Sequence, residues 1–129
     1  MTNYFTWSQF DKSVDYIADQ CESWELSGIY GIPRGGLCLA VALSHSLCLP
    51  LLEVPKNNTL IVDDIYDSGY TLDKIKHLKG SETYVWISKI KPTWWNAYKY
   101  IKEKEWIIFP WENINTADND RELYNKSRA

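Results

Sequence analysis

Apolar residues recur along this chain in two spacings that take turns. Phe10, Val14, Ile17, Ala18 and Cys21 fall three or four positions apart, the spacing of one helix face. Thr6 ahead of them, with Gln9 three residues on, has the pattern of a capping box, and Gly28 follows shortly after the stretch. Residues 28–32 form a short β-rich run. Residues 37–47 are apolar on nearly every side and predict a buried helix. The run 50–54 predicts a strand. Residues 60–62 predict another, continuously apolar as expected at the centre of a parallel sheet. An amphipathic helix is expected over 71–79, ending near Gly80, with further strands over 83–88 and 106–109. Strands alternating with helices through short loops predict an α/β fold: a central, mainly parallel twisted sheet flanked by helices. No repeat or linker interrupts residues 1–112, which read as one domain. Residues 113–129 read as a polar tail, with a short helical piece expected around 121–124.

A length of 129 residues agrees with a single domain, and 45% apolar against 24% charged residues is a globular balance. No apolar run approaches the ~20 residues of a membrane span, and the start of the chain lacks the basic and apolar regions of a secretory signal. No membrane partner is expected. Cys21, Cys38 and Cys48 are odd in number with no C-x-x-C spacing, so reduced thiols and a cytoplasmic protein are expected. His45 and His77 have no close neighbour of metal-ligand type. The net charge of −3 is unevenly spread: residues 1–73 carry 10 acids against 3 bases, and residues 74–104 carry 8 bases against 2 acids. The basic stretch reads first as a solvated face, and the acidic total argues against nucleic-acid binding. Seven tryptophans in so short a chain exceed what a core needs, so most rings are expected in the core and some against ligand.

Ligands of parallel α/β sheets bind beyond the carboxyl ends of the strands, which directs attention to two loops. The first, Pro33-Arg34-Gly35-Gly36, joins a strand to the apolar helix. Its glycines let backbone approach a ligand, a helix start favours an anion, and Arg34 adds a charged fork. A plain tight turn explains this loop equally well. The second loop is more specific. Asp63, Asp64 and Asp67 lie within five residues and repel one another unless a cation or hydroxyl donors meet them. Ser68 and Thr71 supply hydroxyls, Gly69 permits close approach, and a helix expected from Thr71 points its N–H groups at the same place. The set reads as a phosphate cradle beside an acidic pair suited to ribose hydroxyls or Mg²⁺. An acidic cap followed by a turn explains Asp67, Ser68 and Gly69 but not Asp63 and Asp64.

The run from Val62 to Thr71 resembles the 5-phosphoribosyl-1-pyrophosphate (PRPP) signature of the type I phosphoribosyltransferases. Arg34, Gly35 and Gly36 stand where that family binds pyrophosphate. The segment from Trp106 to Glu112 is similar to the late strand of its xanthine–guanine branch. The resemblance implies a type I phosphoribosyltransferase-like fold with a very small hood. It implies a purine phosphoribosyltransferase that transfers the phosphoribosyl group of PRPP to a guanine-, xanthine- or hypoxanthine-like base and releases pyrophosphate, in nucleotide salvage. It also implies site roles. Asp63 and Asp64 face the ribose hydroxyls directly or through Mg²⁺, the expected cofactor, and Asp67 is general acid/base. Asp67, Ser68, Gly69, Tyr70 and Thr71 hold the 5-phosphate, and Arg34, Gly35 and Gly36 take the pyrophosphate, with a cis peptide at Pro33–Arg34. Trp106 stacks on the base and Ile107 offers it backbone groups. Lys89 and Lys91 compete for the base oxygen, and the Lys91-Pro92 pair fits the family pattern better. Trp111 is expected in the core or an interface. Trp94, Trp95, Tyr98 and Tyr100 form a lid or, more simply, pack. A homo-oligomer, dimer or tetramer, is implied as well. The family's long flexible loop before the third strand is missing, since only a few residues separate Val54 from Leu60. That departure keeps a second reading open, a non-catalytic regulatory domain that binds PRPP or a nucleotide. A dinucleotide or P-loop site fails for want of G-x-G-x-x-G and a Walker lysine.

Overall fold

Thr6 opens the first helix as its sequence requires: its side chain accepts from the Gln9 amide at 3.1 Å, and its own amide donates to Gln9 Oε1 at 2.7 Å. The computed structural model describes residues 2–102, 105–113 and 115. In chain order these form β1 (Thr2–Tyr4), α1 (Trp7–Cys21), β2 (Gly28–Gly31), α2 (Leu37–Leu47), β3 (Thr59–Tyr66), a 3₁₀ turn (Leu72–Lys74), β4 (Glu82–Ser88), β5 (Asn96–Tyr100) and β6 (Trp106–Ile108). The main sheet has the order β2-β3-β4-β5 with every pair parallel, so the expected α/β parallel sheet is present. Its carboxyl ends share one edge, which is where the loops after β2, β3 and β4 lie. A separate parallel pair, β1 with β6, makes the small hood. None of the described helices is long and apolar enough to cross a membrane.

The two faces of the sheet are covered differently. Phe10, Val14, Ile17 and Cys21 of α1 and Leu39, Ala40 and Leu43 of α2 bury against Leu60, Val62, Tyr84 and Trp86. Phe5, Ile107 and Phe109 of the hood segments join that cluster, and Trp111 packs on it with its ring parallel to Phe109, 2° between planes. Trp111 is therefore a packing residue. On the other face, Ile61, Tyr66, Leu72, Val85 and Trp95 form a second cluster, with Ile75, Leu78 and Trp94 against it. Trp94 and Trp95 pack here, and Trp95 is buried.

Several elements differ from the sequence expectation, each for a physical reason. Residues 71–79 do not form an α-helix. Leu72, Ile75 and Leu78 repeat every three residues, and the chain follows with i→i+3 bonds, Ile75 N to Leu72 O at 3.1 Å and Leu78 N to Ile75 O at 3.4 Å. A 3.0-residue turn eclipses such positions, whereas a 3.6-residue turn spreads them. Residues 50–54 make no strand, only an isolated bridge of Leu51 to Ile29. The third predicted strand is longer than 60–62 and runs to Tyr66, so Asp63 and Asp64 lie in β3 rather than in the loop. β5 and β1 were not anticipated: the polar, half-exposed Asn96–Tyr100 lacks an apolar run. The strand expected over 106–109 pairs in the hood, not in the main sheet. The helical piece expected around 121–124, with most of the predicted tail, lies outside the described residues.

Candidate active site

The loop after β2 is fixed from both sides. The Ile32 amide donates to Val62 O at 2.9 Å, the Gly36 amide to Ile32 O at 2.8 Å, and the Ala40 amide to Gly36 O at 3.0 Å. The Pro33–Arg34 peptide is cis, as the resemblance implied. Gly36 packs so closely on the frame that an added Cβ would stand 2.6 Å from Val62 O and 2.8 Å from Ile32 O. Its amide faces inward, so what Gly36 contributes is the absence of a side chain. Gly35 meets a different neighbour. The Asp64 carboxylate lies directly over it, and a Cβ there would come within 2.6 Å of Asp64 Cγ. Arg34 stands exposed at the head of the turn.

Successive side chains leave a strand on opposite faces, and this divides the acidic pair. Asp64 points to the first loop. Its charge, after burial, helps push the nearby Cys38 thiol above its ordinary pKa. Asp63 is 92% buried by its 8% exposure, and its Oδ1 accepts from the Asp64 amide at 2.8 Å. It lines a hollow with Ile65, Tyr66, Asp67, Ser68, Gly69, Tyr70, Thr71 and Leu72 that encloses about 220 Å³, part of it open solvent. Asp67, Ser68 and Tyr70 are exposed around the rim, while Gly69 is buried at φ +80°, a conformation natural to glycine. The Tyr70 amide donates to Ser68 Oγ at 3.2 Å. All the phosphate-loop residues singled out in the sequence thus meet in one hollow. A helix tip does not back it, because the turn that follows is 3₁₀ and spans only Leu72–Lys74.

Three residues hold this bend from beneath. Tyr66 stacks on Trp95, ring centroids 3.7 Å apart, and its hydroxyl donates to Asp73 Oδ1 at 2.9 Å. Burial first, then the Asp73 carboxylate, pushes the Tyr66 phenol up to about 12. Sequence reasoning gave Tyr66 and Asp73 no role and read Trp95 only as lid or packing; the paired tryptophans at 94–95 were the available signal.

The hood meets the sheet beside this site. The Lys89 amide donates to Tyr66 O at 2.8 Å, and its Nζ donates to Glu105 O at 2.6 Å, immediately before Trp106. Lys89 is half-buried at that junction, whereas Lys91 is exposed. Ile108 O accepts from the Phe5 amide at 2.9 Å, so the alternate residue Ile107 turns its backbone groups away from β1. The Ile107 side chain is buried in the core, which leaves the half-buried Trp106 on the opposite side of β6.

The donor set suits Mg²⁺ arriving with a diphosphate. That ion commonly keeps waters and takes one or two carboxylates together with substrate phosphates. Asp64 offers one carboxylate beside the Arg34 loop, and Asp63 another on the side of the Asp67–Thr71 hollow. Among the described residues no group of three or more His, Cys, Asp or Glu forms an all-protein cage.

No protein-family model and no curated protein matches the chain. Solved structures do. The chain is similar to a purine phosphoribosyltransferase from Pyrococcus horikoshii Ot3, with 26% identity and a TM-score of 0.73 over 88% of this chain and 95% of that one. It is similar to a xanthine-guanine-hypoxanthine phosphoribosyltransferase from Helicobacter pylori, with 21% identity and a TM-score of 0.70 over 94% and 99% of the two chains. A hypothetical protein from Neisseria gonorrhoeae with bound ppGpp shares the fold at 17% identity and a TM-score of 0.70, over 98% and 97%. The chain has the type I phosphoribosyltransferase fold.

Proposed function

We propose that this chain is a purine phosphoribosyltransferase, transferring the 5-phosphoribosyl group of PRPP to a guanine-, xanthine- or hypoxanthine-like base with release of pyrophosphate, as in nucleotide salvage. Its structural likeness to such transferases supports an enzyme of this class. One observation carries the reading: Asp64 lies on Gly35 while its neighbour Asp63 lines the Asp67–Thr71 hollow, so adjacent residues of β3 bring the two loops together at the carboxyl edge of a parallel sheet.

In this reading the 5-phosphate occupies the hollow, held by groups of Asp67, Ser68, Gly69, Tyr70 and Thr71. A phosphate oxygen takes over the Tyr70 amide from Ser68 Oγ, a long bond at an exposed position. The guanidinium of Arg34 and the backbone at Gly35 meet the pyrophosphate, and Gly36 shapes their turn. Asp63 and Asp64 face the ribose hydroxyls and would hold Mg²⁺ there directly or through them; bound with PRPP, the ion would neutralise charge on the leaving diphosphate. A ring nitrogen of the purine attacks C1 of the ribose as the bond from C1 to the pyrophosphate oxygen breaks. Asp67, on the rim, moves the proton of the purine ring. Trp106 stacks on the base and Ile107 presents backbone groups to its edge. Lys89 takes the base oxygen in preference to Lys91, because it lies at the junction of β4 and Trp106. Apolar side chains exposed on α2 and beyond it, Leu37, Val41 and Leu51, support a homo-oligomer.

A second reading is favoured by a specific feature. The segment between Leu52 and β3 is short and tied down, with the Asn58 amide on Lys79 O at 2.9 Å and Ser81 Oγ on Lys56 O at 2.8 Å. It cannot fold over PRPP to exclude water. A regulatory domain that binds PRPP or a nucleotide without turnover needs no such cover. Incubation with PRPP, Mg²⁺ and each of hypoxanthine, guanine, xanthine and adenine separates the two. Release of pyrophosphate with formation of a nucleoside monophosphate is the expected result. PRPP binding by calorimetry without turnover on any base would establish the regulatory reading in its place.

A further inference from the structure

The hydroxyl of Tyr66 has no part in the ligand contacts proposed above, yet it reaches the bend that would hold the 5-phosphate. Its ring lies on Trp95 with the planes 14° apart. The hydroxyl donates to Asp73, and the Asp73 amide in turn donates to Gly69 O at 2.9 Å. The phenol sits so close under Gly69 that a Cβ added there would strike its oxygen. These contacts run from the second core of the sheet to the middle of the bend. A phosphate bend that opens a long helix is positioned by the helix and drawn to anions by its N-terminal amides. Only the Leu72–Lys74 turn follows this one. Moreover, Asp73 places a negative charge near a site meant for a phosphate, which is unfavourable by itself. An acceptor for Tyr66 is what the carboxylate supplies in return.

We propose that Tyr66, acting through Asp73, is a positioning residue for the 5-phosphate of the sugar diphosphate, replacing a helix as the support of the bend. The hydrogen bond does this, not the charge of Asp73. The inference rests on the transferase or PRPP-binding reading of the site. Variants separate the parts. Tyr66→Phe keeps the ring on Trp95 and removes the hydroxyl. Asp73→Asn keeps an acceptor and removes the charge, and Asp73→Ala removes both. Ribose 5-phosphate probes this bend, and inorganic pyrophosphate with Mg²⁺ probes the Arg34 loop, each titrated calorimetrically into the whole protein. Tyr66→Phe and Asp73→Ala are expected to weaken ribose 5-phosphate about tenfold while pyrophosphate stays within about twofold. Asp73→Asn is expected to bind ribose 5-phosphate at least as tightly as the wild type. Ribose 5-phosphate bound by Tyr66→Phe as by the wild type overturns the proposal, and so does Asp73→Asn falling as far as Asp73→Ala. Parallel losses for both probes, with a lowered melting temperature, would reduce Tyr66 to a structural residue. A wild type that binds neither ribose 5-phosphate nor PRPP overturns the reading of the site itself, and the tether with it.

Discussion

The loop after β2 leads straight into an 11-residue helix, and the loop after β3 leads into a 3₁₀ turn of 3 residues. The first is held by main-chain bonds, from Ile32 to Val62 and from Gly36 to Ile32, and by glycines that leave no room for a side chain. The second is held by side chains, through Tyr66, Asp73 and the buried Leu72. Both sit at the edge of one sheet and both serve one ligand in our reading. The lesson is that an anion site needs a rigid backbone, and that secondary structure or a few side-chain contacts can each supply it. The two solutions are expected to fail differently.

The largest effect is expected from the second loop. Asp67→Asn removes a proton carrier from the rim without touching the Tyr66–Asp73 support. It is expected to lower kcat about 1,000-fold while PRPP affinity, measured by calorimetry, stays within about threefold. Unchanged kcat would move the proton transfer away from this loop. In the first loop, neighbouring glycines should separate stability from ligand binding. Gly36→Ala pushes on the carbonyls of Val62 and Ile32 and is expected to cost about 1–3 kcal/mol in urea unfolding. Gly35→Ala pushes on the Asp64 side chain, which can turn aside. Its unfolding change should be the smaller of the two, and its loss should appear in PRPP and Mg²⁺ affinity. Equal unfolding losses for both would mean that the loop is not held by the frame as described.

Much of the first loop could be read in the sequence. A strand, a glycine pair and an apolar run up to Leu47 are all local signals, and the helix followed. The acids and hydroxyls of the second loop were legible too, because Asp63 to Thr71 carry their chemistry at close spacing. Its support was not. Tyr66, Asp73 and Trp95 meet across the sheet, and no spacing along the chain announces that contact. The three-residue repeat of Leu72, Ile75 and Leu78 was open to view, but read at helical tolerance it passed for an α-helix. β5 escaped notice for another reason: in Asn96–Tyr100 the sheet edge asks for little burial, so little apolar pattern was needed.

A third region sharpens the contrast, since in our reading the hood completes the base site. Lys89→Ala is expected to raise KM for the purine about tenfold, and Lys91→Ala to leave it nearly unchanged, in steady-state assays at saturating PRPP. The reverse ranking would return the base oxygen to Lys91. The smallest effect concerns pH. Burial, as the leading cause, pushes the phenols of Tyr66 and Tyr84 up to about 12 from an ordinary 10.0. The unfolded chain therefore gives up these protons first. Their stabilisation is whole below about pH 10 and falls as pH rises towards 12. Urea midpoints at pH 9, 10 and 11 should decline along that course, and Tyr66→Phe should decline less steeply. A midpoint flat across that range would contradict the burial of both phenols.

The central claim is that these two loops grip opposite ends of one molecule. A crystal structure of the protein with PRPP and Mg²⁺ at millimolar concentration tests it most directly. The account predicts the 5-phosphate in the hollow of Ser68, Gly69 and Thr71 and the pyrophosphate against Arg34 and Gly35. Electron density for PRPP elsewhere, with that hollow vacant, would contradict it.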